Sequence, residues 1–310
     1  MSHPCVVTLN QHSRPRVLLS GDRLVEVKLP AGTRCLYPRR LASQTLSDPD
    51  LDPAFSLLTT NQDDLNSSEY ALLRAAVARG RLQATRRALD ALARIAGAPD
   101  ALEEAGTQQH RALLQVPVDG QVDVLVVGTP LASALVLQSG NPLQMRGELL
   151  AWLCAGGVPL VKRGGALIVT HPFTDAFDHE RHAAHYDFVH RLLSKTRDTQ
   201  LLRQNYEAQF VRDPALLSMH LQGEALHPER AFFDWCRGEP ARQHLGRLIA
   251  VGADNEYMPQ LLGFETAASI DEALYRARGE RSALQIACVS LPDLVQPAVT
   301  SRTVSTEVAA

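Results

Sequence analysis

Aromatic residues are scarce in this chain: 5% of 310 positions, against 45% hydrophobic residues in all. A core can be sizeable here, but it must be mostly Leu, Val, Ala and Ile. Cysteine is sparse as well. Cys5, Cys35, Cys154, Cys236 and Cys288 are scattered, odd in number and never spaced C-x-x-C. That argues against a disulfide framework and against a thiolate zinc site. No apolar run approaches the roughly 18–20 residues that span a bilayer, so no membrane partner is expected. The opening residues, MSHPCVVTLNQHSRPR, lack the apolar stretch of a signal peptide. The expectation is a cytoplasmic, reducing setting. A dominant charge is missing too: the formal net charge is −3, with the signs mixed. Neither a phosphate backbone nor an anionic membrane is implied, so no nucleic-acid partner is expected.

Complete catalytic motifs are absent. There is no G-x-G-x-x-G after a strand, no G-x-x-x-x-G-K-[ST], no H-E-x-x-H and no G-x-S-x-G. Internal repeats and low-complexity blocks are missing as well.

What is present is a change of texture along the chain. Residues 16–37 are β-rich: Arg16–Leu19 and Leu24–Leu29 flank the turn Ser20-Gly21-Asp22. Residues 38–66 are loop-like. Over 67–96 the apolar positions Tyr70, Leu73, Val77, Leu82, Leu89 and Leu92 recur near helical spacing. The arginines of that stretch form a solvated face.

From about residue 115, strands and helices alternate. Apolar β-type runs fall near 122–128, 165–170, 247–252 and 284–289, with helical segments between them. The pattern predicts an α/β fold: a parallel sheet with helices on both faces, preceded by a small β segment and a helical segment. The corresponding division is 1–66 β-rich, 67–114 helical connector, 115–292 α/β domain and 293–310 flexible tail.

The stretch Gly164–His190 draws most attention. Ala166-Leu167-Ile168-Val169 reads as a strand covered on both faces, and His171-Pro172 stops it. Parallel sheets usually bind ligands at the carboxyl ends of their strands, which places His171 and Asp175 at such an edge. Five of the 11 histidines lie between 171 and 190. His179, His182, His185 and His190 have poor metal-helix spacing, so a solvated helix surface is the simpler reading for His182 and His185. Asn141-Pro142-Leu143-Gln144 opens a helix, whose first amides and Gln144 could hold a carboxylate or hydroxyl. Asn141, Gln144, His171 and Asp175 are thus the candidate substrate-binding residues. Asp254, after the third strand, is a candidate helix cap.

Several stretches, in order, resemble the C-terminal half of bacterial lactate-racemase-like proteins. They are Gln115–Pro130, Asn141-Pro142, Pro159–Gly165, Thr170-His171-Pro172, Val251–Tyr257 and Asp271–Leu274. Arg16–Leu19, Gly21-Asp22 and Leu29–Pro38 are similar to the opening β segment of the longer members. The resemblance implies a 2-hydroxy-acid racemase or epimerase that uses a nickel-pincer nucleotide, with two histidines as alternating bases.

The likeness stops at the catalytic half. No D-x-T-R-P phosphate motif is found; Gln11–Pro15 is a chance echo. No histidine lies between Tyr37 and His110. Gln144 matches a substrate-side Gln of the family, while Leu143 and Gly147 replace its Tyr and Lys. No catalytic base and no metal ligand can be assigned. The resemblance therefore implies a shortened, catalytically impaired relative that does not hold the nickel-pincer nucleotide by itself. A small hydroxy acid remains a ligand it could take, and a homo-oligomer or an intact paralogue a partner. Two alternatives stay open: a non-catalytic binding or assembly subunit, and an unrelated metal-dependent enzyme using His171–His190.

Overall fold

The computed structural model describes residues 6–10, 16–21, 23–36, 115–130, 141–155, 157–175, 177–289 and 295–300. The expected loop over 38–66, the helical pattern over 67–96 and the Gln11–Pro15 echo lie outside the described residues.

The centre is a run of parallel strands. They are β4 (Arg34–Leu36), β6 (Val122–Pro130), β7 (Val161–Thr170), β8 (Arg247–Val251), β9 (Glu265–Ala267) and β10 (Ile286–Val289). Their order across the sheet is β4-β10-β6-β7-β8-β9, and every neighbouring pair is parallel. β1 (Val6–Thr8) closes one edge antiparallel to β4. The hairpin of β2 (Arg16–Gly21) and β3 (Arg23–Val27) joins through β2, whose Ser20 and Gly21 pair with Thr129 and Pro130 at the far end of β6. The small β segment is thus part of the main sheet. β5 (Gln115–Asp119) pairs in parallel with β11 (Gln296–Thr300) as a separate two-stranded sheet. Residues 296–300 were expected in a flexible tail. They form a strand because the alternation of β5 (Val116 and Val118 buried, their neighbours exposed) offers a half-buried partner.

The strand sequences explain the two-faced burial. Side chains alternate across a strand. Leu125 and Val127 of β6, Leu167 and Val169 of β7, and Leu248 and Ala250 of β8 enter one core. Val124, Val126, Ala166, Ile168, Ile249 and Val251 enter the other. Helices cover both faces. The first core takes α1 (Pro142–Cys154), α2 (Ala183–Asp187, continuing as the wider-turned Phe188–Leu193) and α6 (Glu229–Cys236). Between α2 and α6 lie α3 (Thr199–Leu202), α4 (Ala208–Val211) and α5 (Pro214–Leu221). Then come α7 (Glu239–His244) and α8 (Tyr257–Leu261). The second core takes α9 (Ile270–Arg278), whose Ile270, Ala273, Leu274 and Ala277 follow helical spacing. Ser269 Oγ accepts the Glu272 amide, and Glu272 Oε2 accepts the Ala268 amide, a reciprocal N-terminal cap.

β7 starts four residues before the expected 165–170 run. The Gly164-Gly165 pair lies within the strand, at a register shift against β6. Gly164 has φ of +75°. A Cβ on Gly165 would stand 2.6 Å from the Asp123 carbonyl oxygen.

Gly147 is the tightest point between helices. A Cβ there would stand 2.1 Å from the backbone oxygen of Asp234 on α6. Gly147→Ala is expected to destabilise the fold by about 2 kcal/mol or more, since backbone cannot give way as a flexible side chain does. A melting temperature lowered by several degrees in circular dichroism would show it; an unchanged one would refute the α1–α6 packing described.

Candidate functional site

The carboxyl ends of β6, β7 and β8 come together beneath the β2–β3 hairpin. Thr129 Oγ1 donates to the Thr170 carbonyl at 2.9 Å, tying β6 to β7. The His171 amide donates to the Val251 carbonyl at 3.1 Å, and the Asp254 amide to the Pro172 carbonyl at 2.8 Å. The loops after β7 and β8 are thus zipped together. Gly252 sits under the hairpin with φ of +80°, and a Cβ on it would lie 3.3 Å from Ser20 Oγ. Arg23 reaches Asp254 at 3.5 Å, an exposed pair of small energetic weight. Asp254 is not a helix cap. Asn255 takes that role, its Oδ1 accepting the Tyr257 amide at 3.0 Å.

His171 follows β7 directly and is fully buried. Its Nδ1 accepts the Phe173 amide at 2.9 Å, so the proton of the neutral ring sits on Nε2. That Nε2 has no hydrogen-bond partner among the described residues. Phe173 holds a positive φ of +47° and packs edge-on against the His171 ring. Burial lowers the His171 pKa to about 3, so the ring is neutral at pH 7.

Asn141 and Gln144 sit at the start of α1, the helix that follows β6. Asn141 Oδ1 accepts the Gln144 amide at 3.1 Å and caps the helix. Its Nδ2 is buried without a partner among the described residues. The Gln144 carbonyl accepts Arg237 Nη2 at 3.2 Å. Asp175 is more exposed and is engaged elsewhere: its Oδ1 lies 3.2 Å from His190 Nε2. The His190 ring in turn stacks near Tyr186 and Tyr257.

The five histidines of 171–190 do not converge. His171 binds the Phe173 amide, His179 packs on Tyr186, and His190 holds Asp175. Among the described residues no group of three or more His, Cys, Asp and Glu is placed to hold a metal ion. His182 and His185, expected on an exposed helix face, are both buried. The reason is α6, which packs against α2 and presents Asp234 to it. Asp234 Oδ2 lies 3.0 Å from His185 Nε2, with both side chains fully buried.

This buried cluster is the part that sequence reasoning missed. Asp234 also takes Arg230 Nε at 3.2 Å, and Arg237 Nη2 stands 3.3 Å from its Oδ1. Arg237 Nη2 stands 3.3 Å from Glu148 on α1 as well. Burial works to raise the Asp234 pKa, but the His185 hydrogen bond and the Arg237 and Arg230 charges outweigh it and hold the carboxyl below its ordinary range. His182 is held down to about 4, first by burial and then by the neighbouring His185. The spacing Arg230, Asp234, Arg237 was the available signal, but it also fits any solvated helix.

No family model matches the chain. No curated protein matches it either. Among solved structures, the lactate racemase apoprotein from Thermoanaerobacterium thermosaccharolyticum is similar at 15% identity and a TM-score of 0.33, over 66% of this chain and 40% of that one. The chain therefore spans well under half the length of that protein. A likeness this distant establishes neither fold nor activity. Among the described residues, no helix is long and apolar enough to cross a membrane.

Two outcomes follow from the geometry. Asp234→Ala strands three buried or half-buried basic side chains and is expected to cost about 3–5 kcal/mol, read as a loss of unfolding free energy in urea. The second concerns pH. His171 and His182 have folded pKa values of about 3 and about 4, below the ordinary 6.5. The unfolded chain therefore binds protons first, and their contribution to stability is lost as pH falls from about 6.5 toward 3. The melting temperature should fall over that window, and less steeply in His171→Asn; an equally steep fall in that variant would contradict it.

Proposed function

We propose that the chain is a lactate-racemase-like protein, of the 2-hydroxy-acid racemase and epimerase type. In this reading it holds a small hydroxy acid at the carboxyl edge of its sheet and does not racemise it unaided. The observation that carries the reading is the buried Nε2–H of His171, a donor without an acceptor among the described residues, at the end of a parallel strand. A buried donor left unpaired is costly, and a carboxylate or hydroxyl oxygen would satisfy it. Asn141 Nδ2, at the start of the helix after the neighbouring strand, is a second such donor. The ordered likeness of residues between 115 and 274 to the racemase family supports the same ligand class.

The chemistry argues against turnover. A general base works best with a pKa near the operating pH. His171, at about 3, is a poor base and a good neutral donor. No residue can be assigned as the nickel ligand of a nickel-pincer nucleotide, and among the described residues no group of three or more His, Cys, Asp and Glu is placed to hold a bare metal ion. No step is therefore routed through that cofactor. A second copy or an intact paralogue would have to bring the missing wall of the cleft. The scattered cysteines, odd in number and never spaced C-x-x-C, suit a reducing, cytoplasmic setting.

The test has two arms. Titration with L- and D-lactate, followed by amide chemical shifts, should give weak saturable binding that is lost in His171→Phe. Chiral chromatography should show no interconversion, with or without nickel-pincer nucleotide. The reading fails if neither enantiomer perturbs the residues around His171. Cofactor-dependent interconversion that disappears in His171→Ala would restore a full racemase.

A further inference from the structure

A pocket of 230 Å³ opens at the amino end of β8, at the opposite end of the strands from His171. That volume is below the about 300–1,000 Å³ of drug-sized ligand sites. Its charge is one-sided: Arg146, Arg197, Arg242 and Arg247 line it against the single carboxylate of Glu265.

Three of those arginines are already engaged. Arg197 Nη1 donates to the Gln260 carbonyl at 2.7 Å. Arg242 is forked onto Glu239, with Nη2 at 2.8 Å from Oε1. Arg247 meets Glu265 at 3.3 Å. Arg146 differs. Its side chain is fully buried, stacked 3.8 Å over the Trp235 ring. Nε donates to the Leu262 carbonyl at 2.9 Å and Nη1 to the Trp235 carbonyl at 3.4 Å. Nη2 has no partner. Among the described residues no carboxylate forms an ion pair with Arg146. Glu239 is the acidic neighbour that favours its charge, but Arg242, Gln243 and Thr199 already occupy that carboxylate. A buried guanidinium with carbonyl partners alone keeps an uncompensated charge. Burial lowers its pKa to about 9, which leaves it charged at pH 7.

We infer that this pocket is an anion site that takes an oxyanion of phosphate size, whose charge pairs with Arg146. Guanidinium forks match the oxygens of such an anion better than they match a halide. Arg197 and Arg242, both exposed at the mouth, add donors and draw the anion in. The site stands apart from the carboxyl edge and does not depend on the hydroxy-acid reading.

The probe is inorganic phosphate, titrated into the full chain by calorimetry and by thermal shift, with sodium chloride at matched ionic strength as control. Saturable binding and a phosphate-specific rise in melting temperature are expected. Arg146→Met should abolish both, and Arg197→Gln should weaken binding at least about tenfold, which is the loss of one charge-assisted contact. Arg278→Gln, on α9 away from the pocket, should leave binding unchanged. Where Arg146→Met does not fold, Arg197→Gln and Arg242→Gln decide. The inference is overturned if phosphate does no more than chloride, if Arg197→Gln and Arg242→Gln both bind as the parent does, or if Arg278→Gln loses as much as they do.

Discussion

The carboxylate of Asp234 is the constraint on which one face of the sheet depends. It lies in the interior with no exposed surface, where an unpaired charge is not tolerated. Its partners come from two sides: His185 from α2, and Arg230 and Arg237 from α6 itself or just after it. Arg237 extends the network to α1 through Glu148 and the Gln144 carbonyl. Three helices are thereby registered to one another by charge rather than by apolar shape alone. The absent side chain of Gly147 belongs to the same arrangement, since it lets α1 come against the Asp234 backbone.

The two ends of the sheet differ in electrostatic character, and α1 serves both. Asn141 begins that helix at the carboxyl edge, where His171 is neutral. Arg146 lies five residues on, about 7 Å along the helix axis, and lines the basic pocket at the amino end of β8. One end thus presents uncharged donors in a dry setting. The other sets the buried Arg146 guanidinium behind the exposed guanidinium groups of Arg197 and Arg242. A small hydroxy acid and a strongly charged oxyanion are suited to these two environments respectively.

Much of the sheet was legible because its strands are apolar on both faces. Val122–Gly128 and Arg247–Val251 have almost no polar interruptions, and such runs have few alternatives to a buried parallel strand. The earlier start of β7, at Val161, was not legible because Lys162-Arg163-Gly164 is polar and glycine-ended, and glycine within a strand marks a bulge that sequence alone does not show. At the site, His171 was readable from its place after a strand. The burial of His182 and His185 was not. Polar residues at helical spacing look solvated until a partner helix is known, and their partner is Asp234, 49 positions after His185. Arg146 was hidden for a similar reason: it reads as an ordinary helix-surface base, and only the later Trp235 and Leu262 enclose it.

The pairing of β4 with β10 has a consequence for how the chain is made. Arg34–Leu36 finds its parallel neighbour only in Ala287–Val289, some two hundred and fifty positions later. During synthesis the β2–β3 hairpin can dock as soon as β6 has emerged, whereas β1 and β4 must wait for nearly the whole sheet to leave the ribosome. Until then an apolar strand edge carrying Cys35 and Leu36 stays uncovered. Contacts this remote in sequence form late and slowly, and open edges invite association with other chains. Arg34–Leu36 is thus made long before it can be paired, and in that interval its apolar edge is open to other chains.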